Sequence, residues 1–183
     1  ETTYKQLNLF IIGAGNVGGK LLAQLQQQQE WLQQKLKLQL RVVGLANSRK
    51  MLYSEEGIAL ANWQETLDKA EPMVLDEFVQ TAISKNLRNS VFVDVTANDT
   101  VATCYEKLLE KSISVVACNK VACSSSYEHY KKLKHLSREY NAFFCFEPNV
   151  GACLPVIGPL NSLLHSGDSI SKIASVMSGK LNV

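Results

Sequence analysis

No charge excess, no long apolar run and no paired-cysteine motif mark this chain of 183 residues, and each absence removes a class of protein. Its 19 basic and 17 acidic residues leave a formal net charge of +2 and are scattered along the chain. Neither nucleic acid nor an anionic membrane surface is therefore indicated as a partner. No apolar stretch approaches the roughly 20 residues that span a bilayer. The opening residues ETTYKQ have no basic region or signal-like segment. Cys104, Cys118, Cys123, Cys145 and Cys153 are odd in number, form no C-x-x-C pair and stand mostly among apolar neighbours, as small buried hydrophobes do. That usage suits a reducing cytosol, so the expected localisation is cytoplasmic. His129, His135 and His165 show no metal spacing with the cysteines and take no role. The chain starts without methionine, and the expectation is a piece of a longer protein.

What is present is apolar content enough for one good core and a small appendage, 46% of the residues. Apolar runs alternate with helical patterns, which predicts an α/β fold with a doubly wound parallel sheet. Strands are expected at Leu7–Ile12, up to about Ala46, and at Val91–Val95, Ile113–Ala117 and Ala142–Phe146. A helix follows the first strand, with Val17, Leu21, Leu25 and Leu32 on one face and Gln26–Gln29 mostly in water. Tyr53–Asn89 is expected to hold two short helices, and further helices fall near Val101–Lys111, capped by Asp99 or Thr100, and Tyr127–Tyr140.

Gly13-Ala14-Gly15-Asn16-Val17-Gly18 lies between the first strand and the first helix, and that position makes the G-x-G-x-x-G pattern informative. Gly13 permits the tight turn, Gly15 lets backbone approach a pyrophosphate, and Gly18 allows close helix–strand packing. The helix N-terminus offers amides to the phosphates. A strand that serves NAD usually ends in an acid for the ribose 2′-hydroxyl, but the second strand here runs into Asn47-Ser48-Arg49-Lys50. Two cations with small polar donors favour the 2′-phosphate of NADP, with NAD and a merely solvated basic turn left as alternatives. Three more segments end later strands, where an open parallel sheet places its ligand crevice. Asp94-Val95-Thr96-Ala97-Asn98 either lines a nicotinamide pocket or caps the next helix. Lys120, after Asn119, either projects into the crevice or snorkels at the surface. Glu147-Pro148-Asn149-Val150-Gly151-Ala152-Cys153-Leu154-Pro155 forms a turn whose carbonyls could converge on a hard cation, although its composition does not demand one.

Together these segments, Gly13–Gly18, Ala46-Asn47-Ser48-Arg49, Asp94-Val95-Thr96, Asn119-Lys120 and Asn149–Ala152 with Leu154-Pro155, resemble homoserine dehydrogenase in order and spacing. The likeness is greatest to the form fused behind an aspartokinase. It implies reversible hydride transfer between NAD(P)H and L-aspartate 4-semialdehyde, giving L-homoserine on the way to threonine and methionine. It also implies a Rossmann-type domain over residues 1–150 and the start of a substrate and dimerisation domain over 151–183. By that resemblance the cofactor is held by Ile12, the loop Gly13, Ala14, Gly15, Asn16, Val17 and Gly18, then Ala46, Asn47, Ser48, Arg49 and Lys50 at the adenosine end, and Thr96 and Ala97 at the nicotinamide side. Lys120 faces the junction of cofactor and substrate, and carbonyls of Glu147, Val150, Ala152 and Leu154 match the family's sodium site.

Departures from the family pattern are Cys153 in place of glycine, Pro148 before the asparagine, and Ser178-Gly179-Lys180-Leu181-Asn182-Val183 where a small hydroxyl and an aromatic are usual. In the family the acidic substrate ligand and the aspartate and lysine of proton transfer come later, so this stretch alone is expected to bind cofactor without turning over homoserine. Apolar faces over Leu160–Val183 favour pairing with a second copy, a homo-oligomer. Two other readings stay open: a nucleotide-sensing regulatory module without catalysis, and another NAD(P)-dependent semialdehyde or amino-acid dehydrogenase.

Overall fold

The computed structural model describes residues 5–36, 38–87, 89–96, 98–117, 127–142 and 144–146. Strand β1 (Lys5–Ile12) leads into helix α1 (Asn16–Leu36) and strand β2 (Leu38–Ala46). After these come β3 (Lys50–Tyr53), α2 (Trp63–Asp68), β4 (Glu71–Pro72), α3 (Leu75–Lys85) and β5 (Ser90–Asp94). Helices α4 (Asp99–Ala102) and α5 (Tyr105–Glu110), strand β6 (Ser114–Ala117), helix α6 (Tyr127–Glu139) and strand β7 (Phe144–Phe146) complete the series.

The strands form one seven-stranded sheet in the order β4-β3-β2-β1-β5-β6-β7. Pairings from β2 through β1, β5 and β6 to β7 are parallel, as the alternation of strands and helices predicts. The margin differs from that expectation, because β3 and β4 pair antiparallel beyond β2. These strands have four and two residues, too few for a period to show, and Pro72 lacks a ladder donor and so belongs on an edge.

Cross-strand register explains the core. Tyr53, Gly44, Phe10, Phe92, Val115 and Phe144 are successive partners across six strands. Phe10, Phe92 and Val115 have no exposed surface. Full burial of each such phenylalanine is worth about 1.5–3 kcal/mol. Gly44 is the blank in this row, since a Cβ there would come within 2.3 Å of the Phe10 ring. Over that gap Phe10 stacks with Tyr53, centroids 6.1 Å apart. The alternate residues Leu9, Ile11, Val91, Val93 and Val116 are buried as well, the signature of a sheet covered on both faces.

Helix α1 packs along β2. It buries Leu22 and Leu25, while Gln26 and Gln27 face water and Gln29 Nε2 donates to the Leu40 carbonyl at 3.2 Å. The side chains at 17, 21 and 32 lie outside the description. The helix expected over 101–111 is two, broken where the Thr103 hydroxyl donates to the Thr100 carbonyl at 2.6 Å and competes with the backbone ladder. Among the described residues no helix is long and apolar enough to cross a membrane.

Candidate nucleotide crevice

Chain direction creates the site. β1 is hydrogen-bonded to β2 on one side and β5 on the other, and the chain then proceeds outward from both. At that divergence the loops leaving the strand ends part and leave a crevice above the C-terminal edge, where doubly wound sheets bind ligands.

The loop after β1 forms the floor. Gly13 has φ +107°, a conformation that L side chains rarely adopt, and an added Cβ would sit 3.0 Å from both the Thr96 nitrogen and the Val95 carbonyl carbon. Glycine is needed here for the turn and for contact between the β1 and β5 loops. The Ala46 carbonyl accepts from the Gly13 and Ala14 amides, both at 2.9 Å, which ties the loop to the end of β2. At Gly15, by contrast, a Cβ would meet nothing within 4 Å, so the backbone borders open space. The first-turn amides of α1, from residues 16–18, point out of the helix end by its geometry, and no acidic residue lies in that turn to repel an anion.

Asp94 governs the β5 side. Its carboxylate has no exposed surface. Oδ1 accepts from the Thr96 amide at 2.9 Å and the Thr96 hydroxyl at 2.6 Å, and Oδ2 accepts from the buried Tyr105 hydroxyl. Hydrogen bonds of this kind are what allow a charge to be buried. Thr96 is thereby held half-exposed in the crevice wall. Asn98 then caps α4, accepting from the Thr100 amide at 2.8 Å; the cap is Asn98 rather than Asp99 or Thr100.

On the β2 side Asn47 Oδ1 accepts from the Arg49 and Lys50 amides at 2.8 and 2.7 Å, folding the loop around its own side chain. Arg49 is exposed, whereas Lys50 begins β3 and its Nζ donates to the Ala70 carbonyl at 3.3 Å.

The crevice measures about 700 Å³. Of the residues singled out from sequence, Ile12, Gly13, Gly15, Asn47, Ser48, Val95, Thr96, Asn98 and Thr100 line it. Ala14, within the loop, and Ala46, at the end of β2, are buried. Asn16, Val17 and Gly18 start α1, their side chains outside the description. Ala97, Lys120, Glu147, Val150, Ala152 and Leu154 also lie outside the described residues. Sequence reasoning missed Met73, Leu75 and Val101, which supply apolar wall. For Met73 and Leu75 the only hint was the apolar cluster Met73-Val74-Leu75, which reads equally well as part of a helix, and Val101 gave none beyond its place in the expected helix. Among the described residues no group of three or more His, Cys, Asp and Glu side chains could hold a metal ion.

A family model described as homoserine dehydrogenase, NAD binding domain, matches residues 13–147. The chloroplastic bifunctional aspartokinase/homoserine dehydrogenase 1 of Arabidopsis thaliana is 40% identical over 174 residues, 94% of this chain and 19% of that protein. The bifunctional aspartokinase/homoserine dehydrogenase of Haemophilus influenzae is 35% identical over 179 residues, 97% of this chain and 22% of that protein. A hyperthermophilic archaeal homoserine dehydrogenase solved in complex with NADPH shares the fold, with a TM-score of 0.64 at 24% identity, covering 84% of this chain and 47% of that one. The chain thus spans about a fifth of the length of these curated relatives. By the match over residues 13–147, which takes in the glycine loop and the walls of the crevice, the chain belongs to the homoserine dehydrogenase NAD-binding domain family.

Proposed function

We propose that the crevice binds NADP(H) and that the whole protein interconverts L-aspartate 4-semialdehyde and L-homoserine. The observation that carries the reading is the 700 Å³ crevice at the divergence of β1, β2 and β5, with open space at Gly15 where a pyrophosphate can approach backbone. The Gly13–Gly18 loop and the first-turn amides of α1 hold the pyrophosphate. Asn47 and Ser48 take the adenosine ribose, and the exposed Arg49 guanidinium turns toward a 2′-phosphate with bidentate geometry. Lys50, on the Ala70 carbonyl, contributes less. Thr96 borders the nicotinamide end, since that end lies across the sheet from β2.

When bound, the nicotinamide supplies or receives the hydride. The work of these residues is to fix its ring above the strand ends and keep water from that face. Lys120 stands, by the family likeness, at the junction with substrate, and a sodium ion at Glu147, Val150, Ala152 and Leu154 belongs to the same reading. So does the division into a cofactor domain over 1–150 and the start of a substrate and dimerisation domain over 151–183. The bifunctional relatives support fusion to an aspartokinase, and a homo-oligomer rests on the apolar pattern of residues 160–183 in the sequence. Cysteine usage supports a reducing compartment such as the cytoplasm.

Calorimetric titration of the whole protein with NADPH and NADH tests this. NADPH is expected to bind the more tightly, and Arg49→Ala to weaken NADPH roughly tenfold or more while changing NADH little. Failure of both nucleotides to bind sinks the cofactor reading, and equal losses in the variant sink the role of Arg49.

A further inference from the structure

We propose that Tyr105 is a positioning residue for the nicotinamide half of the cofactor, acting through Asp94 on Thr96. This rests on the reading of the crevice as an NADP(H) site. Tyr105 begins α5, is 1% exposed and is not among the residues that line the crevice. Its ring packs against Phe144 of β7, centroids 6.0 Å apart, and against the core beneath β5 and β6. A buried phenol needs a hydrogen-bond partner, and the Tyr105 hydroxyl donates to Asp94 Oδ2 at the end of β5.

The other oxygen of the same carboxylate accepts twice from Thr96. A carboxylate only accepts, so the Thr96 hydroxyl spends its proton on Asp94 Oδ1, as does the Thr96 amide. The observed orientation of the Asp94 side chain serves Thr96 and Tyr105 together. The phenol at the rear sets that orientation, and the orientation sets the position of Thr96 in the wall. Gly13 adds the constraint from in front, because its missing Cβ is what admits the Thr96 nitrogen so close to the pyrophosphate loop. Tyr105, Asp94 and Thr96 thus form a relay of fixed length from the hydrophobic core to the crevice. The β2 side has a different support, the Asn47 turn, whose bonds run only to its own loop.

A consequence follows for ligand halves. Loss of the Tyr105 hydroxyl releases the carboxylate orientation and loosens Thr96, yet leaves Asn47, Ser48 and the Gly13–Gly15 floor as they are. The test titrates the whole protein with NADPH and with 2′-phospho-ADP-ribose, which keeps the adenosine, 2′-phosphate and pyrophosphate but lacks the nicotinamide. In Tyr105→Phe, which preserves ring packing, NADPH is expected to bind about tenfold more weakly, with the fragment within about twofold of wild type. Should that variant not fold, Thr96→Val breaks the relay at its half-exposed end and has to give the same selective loss. Equal weakening of both ligands, or none, overturns the proposal in either variant. A wild type that binds neither ligand overturns the cofactor reading itself and the proposal with it, a result distinct from unselective loss.

Discussion

The two walls of the crevice are hinged by the same device in opposite surroundings. At the end of β2 and at the end of β5, an Asx side chain accepts the amide two residues further on, from Arg49 and from Thr96 respectively. Asn47 is neutral, half-buried and satisfied by its own loop, so water can take over its bonds. Asp94 is charged and fully buried, and its partners include a phenol eleven residues away. A neutral amide near water makes a loop that can adapt, whereas a buried carboxylate makes one whose parts must all be in place. The difference suits the two ends of a dinucleotide: the adenosine end needs affinity, and the reacting end needs fixed geometry.

The largest expected effect separates the two hinges directly. Asp94→Ala removes the acceptor shared by the Thr96 amide, the Thr96 hydroxyl and the buried Tyr105 hydroxyl and is expected to cost about 3–5 kcal/mol in urea unfolding, against about 1 kcal/mol for Asn47→Ala. Similar losses at both sites would break the contrast. Next comes the point where the walls meet. Gly13→Ala imposes a side chain at φ +107° against the Thr96 backbone, and about 2–3 kcal/mol of stability should go, together with NADPH binding. Wild-type stability and affinity in that variant would show that the loops do not touch as described.

The smallest effect probes how dry the β5 side is. Burial, the largest cause, pushes the Cys104 thiol above its ordinary range, with the Thr103 hydrogen bond and Lys107 opposing the rise and Asp76 and Asp94 adding to it. A thiol with a raised pKa stays protonated through neutral pH, so alkylation of Cys104 at pH 7.5, followed by mass mapping, should be slow until the protein unfolds. The sign for stability follows. The folded state keeps this proton to higher pH than the unfolded state, so the contribution is whole below the ordinary thiol range and fades as pH rises through the raised value. Cys104→Ala should therefore flatten the alkaline limb of the stability curve slightly. Rapid labelling of the folded protein at neutral pH would instead mark this side as wet.

Local sequence was enough for the floor of the site. The β1 strand, the glycine turn and the start of α1 are contiguous, and a positive φ at Gly13 is demanded by a turn only a few residues long. The central strands were equally legible, because burial on both faces leaves unbroken apolar runs in the sequence. In α1 the spacing of leucines marked a helix but did not single out Leu22, which is buried where the helix packs along β2.

Other parts were decided by tertiary structure alone. The antiparallel margin of β3 and β4 exists because two short segments meet a sheet edge, and neither carries a period of its own. It also took Lys50 to the Ala70 carbonyl, leaving Arg49 as the exposed cation of that pair. Met73 and Leu75 became crevice wall through the turn ahead of α3, and the Tyr105 hydroxyl found Asp94 only when α5 packed against the sheet. By itself the sequence determined an α/β chain with a phosphate-binding turn, since those features depend on neighbours in the chain. Which side chains stand behind that turn, and how firmly, depends on contacts between segments, and these have no periodic signature to read.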